Sequence, residues 1–539
     1  MFFFKNKKKK ATKYKLTVPP QDDFENPRTI IDPSELESWL SNLPLANQCV
    51  AIKDILTELK LINRYPKKIP QRKKLIEKFE HSHQTFFLIA RNLNKRSSTA
   101  VLTKKEAEYL VNFSLLNKEL AYGYKGVINH ELDTLSLKKI TPLAFIKTMW
   151  LLENEMVFSY MDLTKNQAII WKEVLEIYKI TEELKLSEIK IDTHNEEIGV
   201  VAIADFFKKI LLFQLADPYR MQATEIWDLM HFIKTRIALT KLIENHTKAL
   251  TSEQVFVDMR GIIDVLTLAR RSKETVNNQA IKIFDMTSII EETYQIIELI
   301  NSYTEEHIPA DLRHIPTHKL SMLLKKMLIT WQLRPKRNSK RIEQYSQIEI
   351  SSGLTSIYAS LKGSKKEDLE NDEYLFDEVK SQKFIKQATL SNSFDARQVN
   401  ISSTGMGGEV EADKIEGYFH VGQLVLVKDK SHPKNKMLGV IKRLYPKSNT
   451  VVGFGIELLK GVFQPITYRL DGVASDDFIE KGVVLKQENT KKQLIAPLNT
   501  FSPNLGILVN PYDDPVKYKS IKLVESSEYF QRIEIKSKF

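Results

Sequence analysis

Asn400-Ile401-Ser402-Ser403-Thr404-Gly405-Met406-Gly407-Gly408 follows the strand-like run Ala396-Arg397-Gln398-Val399, and its reading decides the C-terminal third of the chain. Asparagine and serine put short hydrogen-bonding groups beside a backbone that glycine leaves bare. Glycine also permits positive φ or the close approach of a ligand. The run lacks the Gly-Lys-Ser/Thr ending of a phosphate loop and stands between strand and turn, not strand and helix. A cluster of turn glycines is the plain structural alternative. Outwards from it lie short β-like runs separated by turn residues: Gln347–Ile350, Ala396–Ile401, Gln423–Val427, Leu438–Leu444, Val451–Leu458 and Gln464–Leu470. Upstream stands Arg334-Pro335-Lys336-Arg337-Asn338-Ser339-Lys340-Arg341, with no acidic residue inside it. Two guanidinium groups outside regular structure can fork around a phosphate or a guanine edge and stack on planar bases. By itself that cluster also reads as a basic linker or a nucleic-acid patch.

Taken together, Arg-x-x-x-Arg at 337–341 and Asn-x-Ser-x-x-Gly at 400–405 resemble the two signature motifs of the PilZ family. The resemblance implies a six-stranded β-barrel that binds cyclic di-GMP, with two arginines clasping phosphate and guanine. Carried over residue by residue, it assigns ligand binding to Arg337, Arg341, Asn400, Ser402 and Gly405. Gly422–Asp429, Leu438–Leu444 and Val452–Leu459 resemble the remaining barrel strands in order. The first polar position is Asn where Asp is also common, and the interval from Arg341 to Asn400 is long for the family. The dense charge around Ser364–Gln382 reads as an insert looping out of the barrel and accounts for that length. Further upstream, Trp39–Gln48, Ala121–Gly126 and Leu211–Met221 resemble segments of long FimW-type PilZ proteins linked to type IV pili and surface attachment.

The chain from 31 to 333 reads as helix. Asp32-Pro33-Ser34-Glu35 is a start signal, followed by Leu36, Trp39, Leu40 and Leu43 at helical spacing. A second helix is expected from about Asn47 to Asn63. Thr141-Pro142 starts another, and Ala168, Trp171, Val174, Leu175 and Tyr178 form an apolar stripe. Thr251-Ser252-Glu253-Gln254 also looks like a capping box. Residues 31–333 are therefore expected to be an all-α array, bundle or solenoid-like stack. The full organisation is multidomain α + β. A disordered basic tail spans 1–30, helices 31–333, a PilZ-like antiparallel barrel 334–472 with its charged insert at 364–391, and a small accessory β-unit 473–539.

Composition excludes several function classes. The single cysteine, Cys49, forms no internal bridge and reads as a small core residue. A reducing, cytoplasmic setting follows. The eleven histidines show no metal-ligand spacing, and His81, His83, His314 and His318 read as surface or helix-end residues. No Gly-x-Ser-x-Gly occurs, and no catalytic constellation stands out, so a non-enzymatic protein without cofactor or metal is expected. Net charge is +12, part of it in Lys7–Lys10. The start does not read as a signal peptide. The most apolar stretch, Ile203–Ala216, carries Lys208 and Lys209 at its centre and does not read as a membrane span. The expected function is a cyclic di-GMP effector that relays binding through a helical, partner-binding region. Nucleic acid is an unlikely partner, because basic and aromatic residues do not interleave in the helical region. A nucleic-acid binder using the tail and 334–341, and a degenerate PilZ scaffold that binds proteins alone, are the alternatives.

Overall fold

The computed structural model describes residues 14–537 except 46, 67–68, 70, 98–101, 135–139, 245–249, 262–279, 303–304, 333–339, 363–392, 416–418, 472–478, 488–490 and 511–514. The chain divides into two compact units: the first holds most of the chain up to Pro335, and the second holds Lys336–Phe539 with the short stretches Ser97–Val101 and Tyr219–Ala223.

Eleven α-helices among the described residues build the first unit. The helix Pro33–Ser41 begins where its signal stands, with the Asp32 carboxylate accepting from the Ser34 amide at 2.9 Å and the Glu35 amide at 3.0 Å. Gln48–Arg64 buries Ile52, Ile55, Leu59 and Ile62 along one stripe. Leu143–Met161 is buried almost all round. Around its Phe158 gather Phe87, Phe113 and Trp227, in edge-on and tilted ring contacts. The apolar helix Ile203–Leu215 pairs its lysines with carboxylates: Lys209 Nζ lies 2.9 Å from Glu153 and Lys208 Nζ 3.1 Å from Asp205. No helix among the described residues is long and apolar enough to cross a membrane.

Several expectations for this unit are corrected. It is not all-α. Strands β1 (Ile191–Asp192) and β2 (Val200–Val201) form a short ribbon, and β3 (Lys241–Glu244), β4 (Gln254–Asp258) and β5 (Ile281–Asp285) form an antiparallel sheet in the order β3-β5-β4. Thr251–Gln254 therefore leads into a strand, not a helix. Val255, Phe256 and Val257 are all buried, a β-branched and aromatic run that suits a strand enclosed on both faces. Residues 14–30 are not a free tail. Leu16 is buried, its amide donates to Asn129 Oδ1 at 2.8 Å, and its carbonyl accepts from Asn129 Nδ2 at 2.9 Å. Residues 1–13, with Lys7–Lys10, lie outside the described residues. Cys49 is half-buried, with Sγ 3.7 Å from the Lys105 carbonyl, and is not a core residue. His83 is the opposite case: it is fully enclosed, with ring contacts to Phe113 and Trp150.

In the second unit, β6 (Ile342–Ser352), β7 (Ser393–Ser402), β8 (Gly405–Glu411), β9 (Leu424–Asp429), β10 (Lys436–Pro446) and β11 (Val451–Leu458) close into an antiparallel barrel. Phe394, Phe419 and Phe454 fill it edge to face, with centroids 5.0 and 5.6 Å apart. The charged insert at 364–391 lies outside the described residues. The expected accessory unit is a second closed barrel of β12 (Val462–Leu470), β13 (Glu480–Lys486), β14 (Lys492–Ala496), β15 (Gly506–Val509), β16 (Val516–Ser526) and β17 (Gln531–Ser537). Gln464–Leu470, expected in the first barrel, belongs to this second one. β12 pairs with β13 and β15, and the first barrel already closes through β9 and β6. Counted 1 to 6 in chain order, the strands of both barrels join in the same ring, 1-2-3-6-5-4. The barrels share an apolar seam: Leu424, Leu426, Leu438 and Val440 pack with Ile357 of the helix Leu354–Lys362 and with Val483, Ile495 and Phe530. That seam explains why β9 is apolar on both faces.

His83 supplies a test of the helical core. Its Nε2 stands 3.1 Å from Asn117 Oδ1, and burial pushes its pKa down from 6.5 to about 4. The folded form refuses a proton that the unfolded chain accepts near 6.5. The stability this confers is therefore complete above that pH and is lost, by about 3 kcal/mol, as pH falls towards 4. Urea unfolding followed at Trp150 and Trp227 is expected to weaken across that window, and His83→Gln to flatten the decline. The same slope in both proteins contradicts the assignment.

Candidate functional site

The hairpin joining β7 to β8 turns on Ser403 and Thr404, with Ser402 paired to Gly405. Ser402 Oγ donates to the Gly405 carbonyl at 3.1 Å, and the Leu458 amide binds the Thr404 carbonyl at 3.0 Å, which ties the turn to β11. One extra residue, Val399, lies between the cross-strand pairs Gln398–Gly408 and Asn400–Gly407. Phe394, Ala396 and Gln398 are buried in alternation, and the bulge moves Asn400 and Ser402 to the opposite, outer face.

The Asn400 amide lies flat over Gly407. A Cβ at Gly407 would stand 2.9 Å from Asn400 Oδ1 and 3.1 Å from Nδ2. Asn400 Oδ1 is shielded from solvent and has no hydrogen-bond partner among the described residues. Arg341 is exposed and immediately precedes β6, whose Ile342 pairs with Ile401 and whose Glu343 pairs with Asn400. Arg341 thus stands at the level of Ser402, at the same end of the same sheet. The fold brings Arg341, Asn400, Ser402 and Gly405 together. Arg337, with Arg334, lies outside the described residues.

The outer face continues across the barrel. Gly407 pairs with Gly455 and Gly455 with Arg443, so one row reads Asn400, Gly407, Gly455, Arg443. The next row reads Arg397, Glu409, Gly453, Tyr445. The Tyr445 ring lies on Gly453, and the Arg443 guanidinium carbon is 5.4 Å from that ring's centroid. Two acidic groups on this face, Glu409 and Glu457, are matched by cations. Burial alone raises the Glu409 pKa, but hydrogen bonds from Lys447 and Arg397, the latter at 2.7 Å, outweigh it and hold the carboxyl below its usual range. Glu457, paired with Gly405, lies 3.3 Å from Lys442, which also holds Glu525 at 2.7 Å. Glu343 is exposed beside Asn400.

This is a low-relief face with an amide, a hydroxyl, guanidinium groups at two edges and a phenol. It suits a planar, anionic ligand that offers hydrogen-bond donors. Among the described residues no cluster of histidine, cysteine and carboxylates suits a metal ion. The motifs did not mark Gly455, Arg443 and Tyr445; the alternate glycines of Val451–Leu458 were the available signal.

Residues 34–245 match the family model described as the N-terminal domain of the cyclic-di-GMP receptor FimW. Over those residues the helical region is similar to that domain. The three segments that suggested FimW-type proteins, Trp39–Gln48, Ala121–Gly126 and Leu211–Met221, all fall within the match. The FimW match ends before the barrels. No curated protein and no solved structure matches the chain.

Packing on the inner side of the hairpin is testable apart from any ligand. A Cβ at Gly408 would meet the Phe454 ring at 2.3 Å and the Arg397 carbonyl oxygen at 2.7 Å. Gly408→Ala is expected to destabilise the second unit by about 1–3 kcal/mol in urea unfolding. Asn400→Ala, on the outer face, should leave it nearly unchanged. A Gly408→Ala protein as stable as the parent contradicts the packing described.

Proposed function

We propose that this chain is a non-enzymatic cyclic di-GMP receptor whose first barrel is a PilZ-type ligand domain. The observation that carries the reading is the meeting of Arg341 with Asn400, Ser402 and Gly405 at one end of the β6-β7-β8 sheet. The match of residues 34–245 to the N-terminal domain of the cyclic-di-GMP receptor FimW supports it.

In this reading Arg337 and Arg341 clasp phosphate and a guanine edge with charge-assisted bonds. Ser402 and the Asn400 amide bind the base, and Gly405 admits the ligand to the backbone. A ligand that holds Arg337 also fixes the 334–341 segment, the covalent link between the helical unit and the barrel. Binding then shifts the population of arrangements available to that link, by as much as the ligand's affinity differs between them. The helical region presents the result to a protein partner in the cytoplasm, with type IV pilus or surface-attachment control as the output.

Each arginine is expected to contribute about 1.5–3 kcal/mol. Arg337→Ala and Arg341→Ala should therefore each weaken cyclic di-GMP binding about tenfold or more in isothermal calorimetry. Asn400→Ala and Ser402→Ala should weaken it less. Parent-like affinity in both arginine variants refutes the assignment. Binding of single-stranded oligonucleotides with steep salt dependence, and none of cyclic di-GMP, turns the reading to nucleic acid.

A further inference from the structure

Gly455 is a glycine without a structural reason. Glycine inside a strand weakens it, and the usual justification is positive φ or a close neighbour. The other strand glycines of the first barrel have such a neighbour. A Cβ would meet the Ile456 carbonyl oxygen at 2.7 Å from Gly405, the Phe454 ring at 2.3 Å from Gly408, the Ile456 side chain at 2.4 Å from Gly439 and the Tyr445 ring at 2.4 Å from Gly453, while Gly407 lies under Asn400. At Gly455 the nearest atom is Arg443 Cβ at 3.7 Å, an ordinary contact, and its φ is not positive. The space over its backbone is left open by the fold.

The second barrel serves as an internal comparison, because its strands join in the same ring. Both barrels carry a bulge in the fifth strand, at Lys442 between Ile441 and Arg443, and at Ile521 between Ser520 and Lys522. The residue after each bulge pairs with the sixth strand: Arg443 with Gly455, and Lys522 with Glu534. Followed onward, the row that reads Asn400, Gly407, Gly455, Arg443 in the first barrel reads Leu485, Gln493, Glu534, Lys522 in the second. There a carboxylate fills the place of Gly455. Its Oε2 lies 3.6 Å from Lys522 Nζ and its Oε1 3.9 Å from Lys491 Nζ. The same architecture is neutralised and filled in one barrel, and bare beside a guanidinium in the other.

We infer that Gly455 and Arg443 form the far half of the ligand face, with Gly455 as an open floor and Arg443, braced on Tyr445, as the wall opposite Asn400. This rests on the reading of the first barrel as the cyclic di-GMP domain. Three strand spacings separate Asn400 from Arg443, about 14 Å. A mononucleotide held at the Asn400 edge does not reach across that width, whereas a cyclic dinucleotide presents a second purine and a second phosphate to it. Arg443 is thus a specificity residue for the two-base ligand, by bidentate contact with the far phosphate or guanine edge. The second barrel, with Glu534 in that row, does not take the ligand.

The test uses the full-length chain and cyclic di-GMP in calorimetry, with thermal unfolding of each variant. Gly455→Val is expected to fold with an unchanged or raised Tm, since a β-branched residue suits the strand, and to weaken binding at least tenfold. Arg443→Gln, which keeps most of the stem over Tyr445, should weaken it about tenfold, and Lys522→Ala in the second barrel should leave it unchanged. If the parent chain binds and both Gly455→Val and Arg443→Gln bind as it does, the inference is overturned while the receptor reading stands. A Gly455→Val protein that fails to fold also overturns it, because Gly455 then has a packing role. Weakening by Lys522→Ala counts against it in the same way. If the parent chain itself does not bind, the receptor reading falls first.

Discussion

Val399 adds one residue between the pairs Gln398–Gly408 and Asn400–Gly407, and the character of the first barrel's outer face follows from that bulge. Strand side chains alternate strictly, so without the extra residue Asn400 and Ser402 would continue the inward series Phe394, Ala396, Gln398. They would then bury polar groups in a core filled by Phe394, Phe419 and Phe454, at a cost of a few kcal/mol. With the bulge, the interior keeps its aromatic filling and the amide and hydroxyl stand outside beside Arg341. The glycines of β8 complete the arrangement, because the strand must pass under Asn400 on one face and against Phe454 on the other.

The two barrels show how one connectivity supports different surfaces. Each closes in the same ring, and each has a bulge at the corresponding place in its fifth strand. Their interiors are both apolar, with Tyr468 and Tyr518 contributing to the second. Their outer faces differ where a ligand would touch. The first is pared to glycine, while the second carries a full complement of side chains and an ion pair between Glu534 and Lys522. Between them lie the apolar seam around Val440, Val483 and Ile495 and the bridge from Lys442 to Glu525. Lys442 is itself the bulge residue beside Arg443, so the seam and the proposed ligand face meet in β10.

Much of this was legible in the sequence. Asp32 announces its helix because a cap is a local, side-chain-to-backbone interaction. The barrel strands with alternating apolar residues, such as Leu438–Leu444, were equally plain. β8 was not, because Gly405, Gly407 and Gly408 carry no side chains from which to read alternation, and the same residues look like a turn. Gln464–Leu470 was assigned to the wrong barrel because strand partners are chosen by long-range closure, which spacing does not encode. Val255-Phe256-Val257 followed a sequence that mimics a helix cap, and tertiary burial decided for strand. His83 looked like a surface residue because nothing local records the aromatic cluster that encloses it. Arg341, Asn400, Ser402 and Gly405 could be read as candidates from their motifs, whereas Arg443 and Gly455 stand on the same face only through cross-strand register.

Hydrogen exchange of the full-length chain with and without cyclic di-GMP tests the central claim most directly. The account predicts slowed exchange in 341–345, 399–407 and 453–457, with 484–494 and 532–535 unchanged. Binding that leaves the first barrel's face unprotected, or that protects the matching row of the second barrel instead, contradicts it.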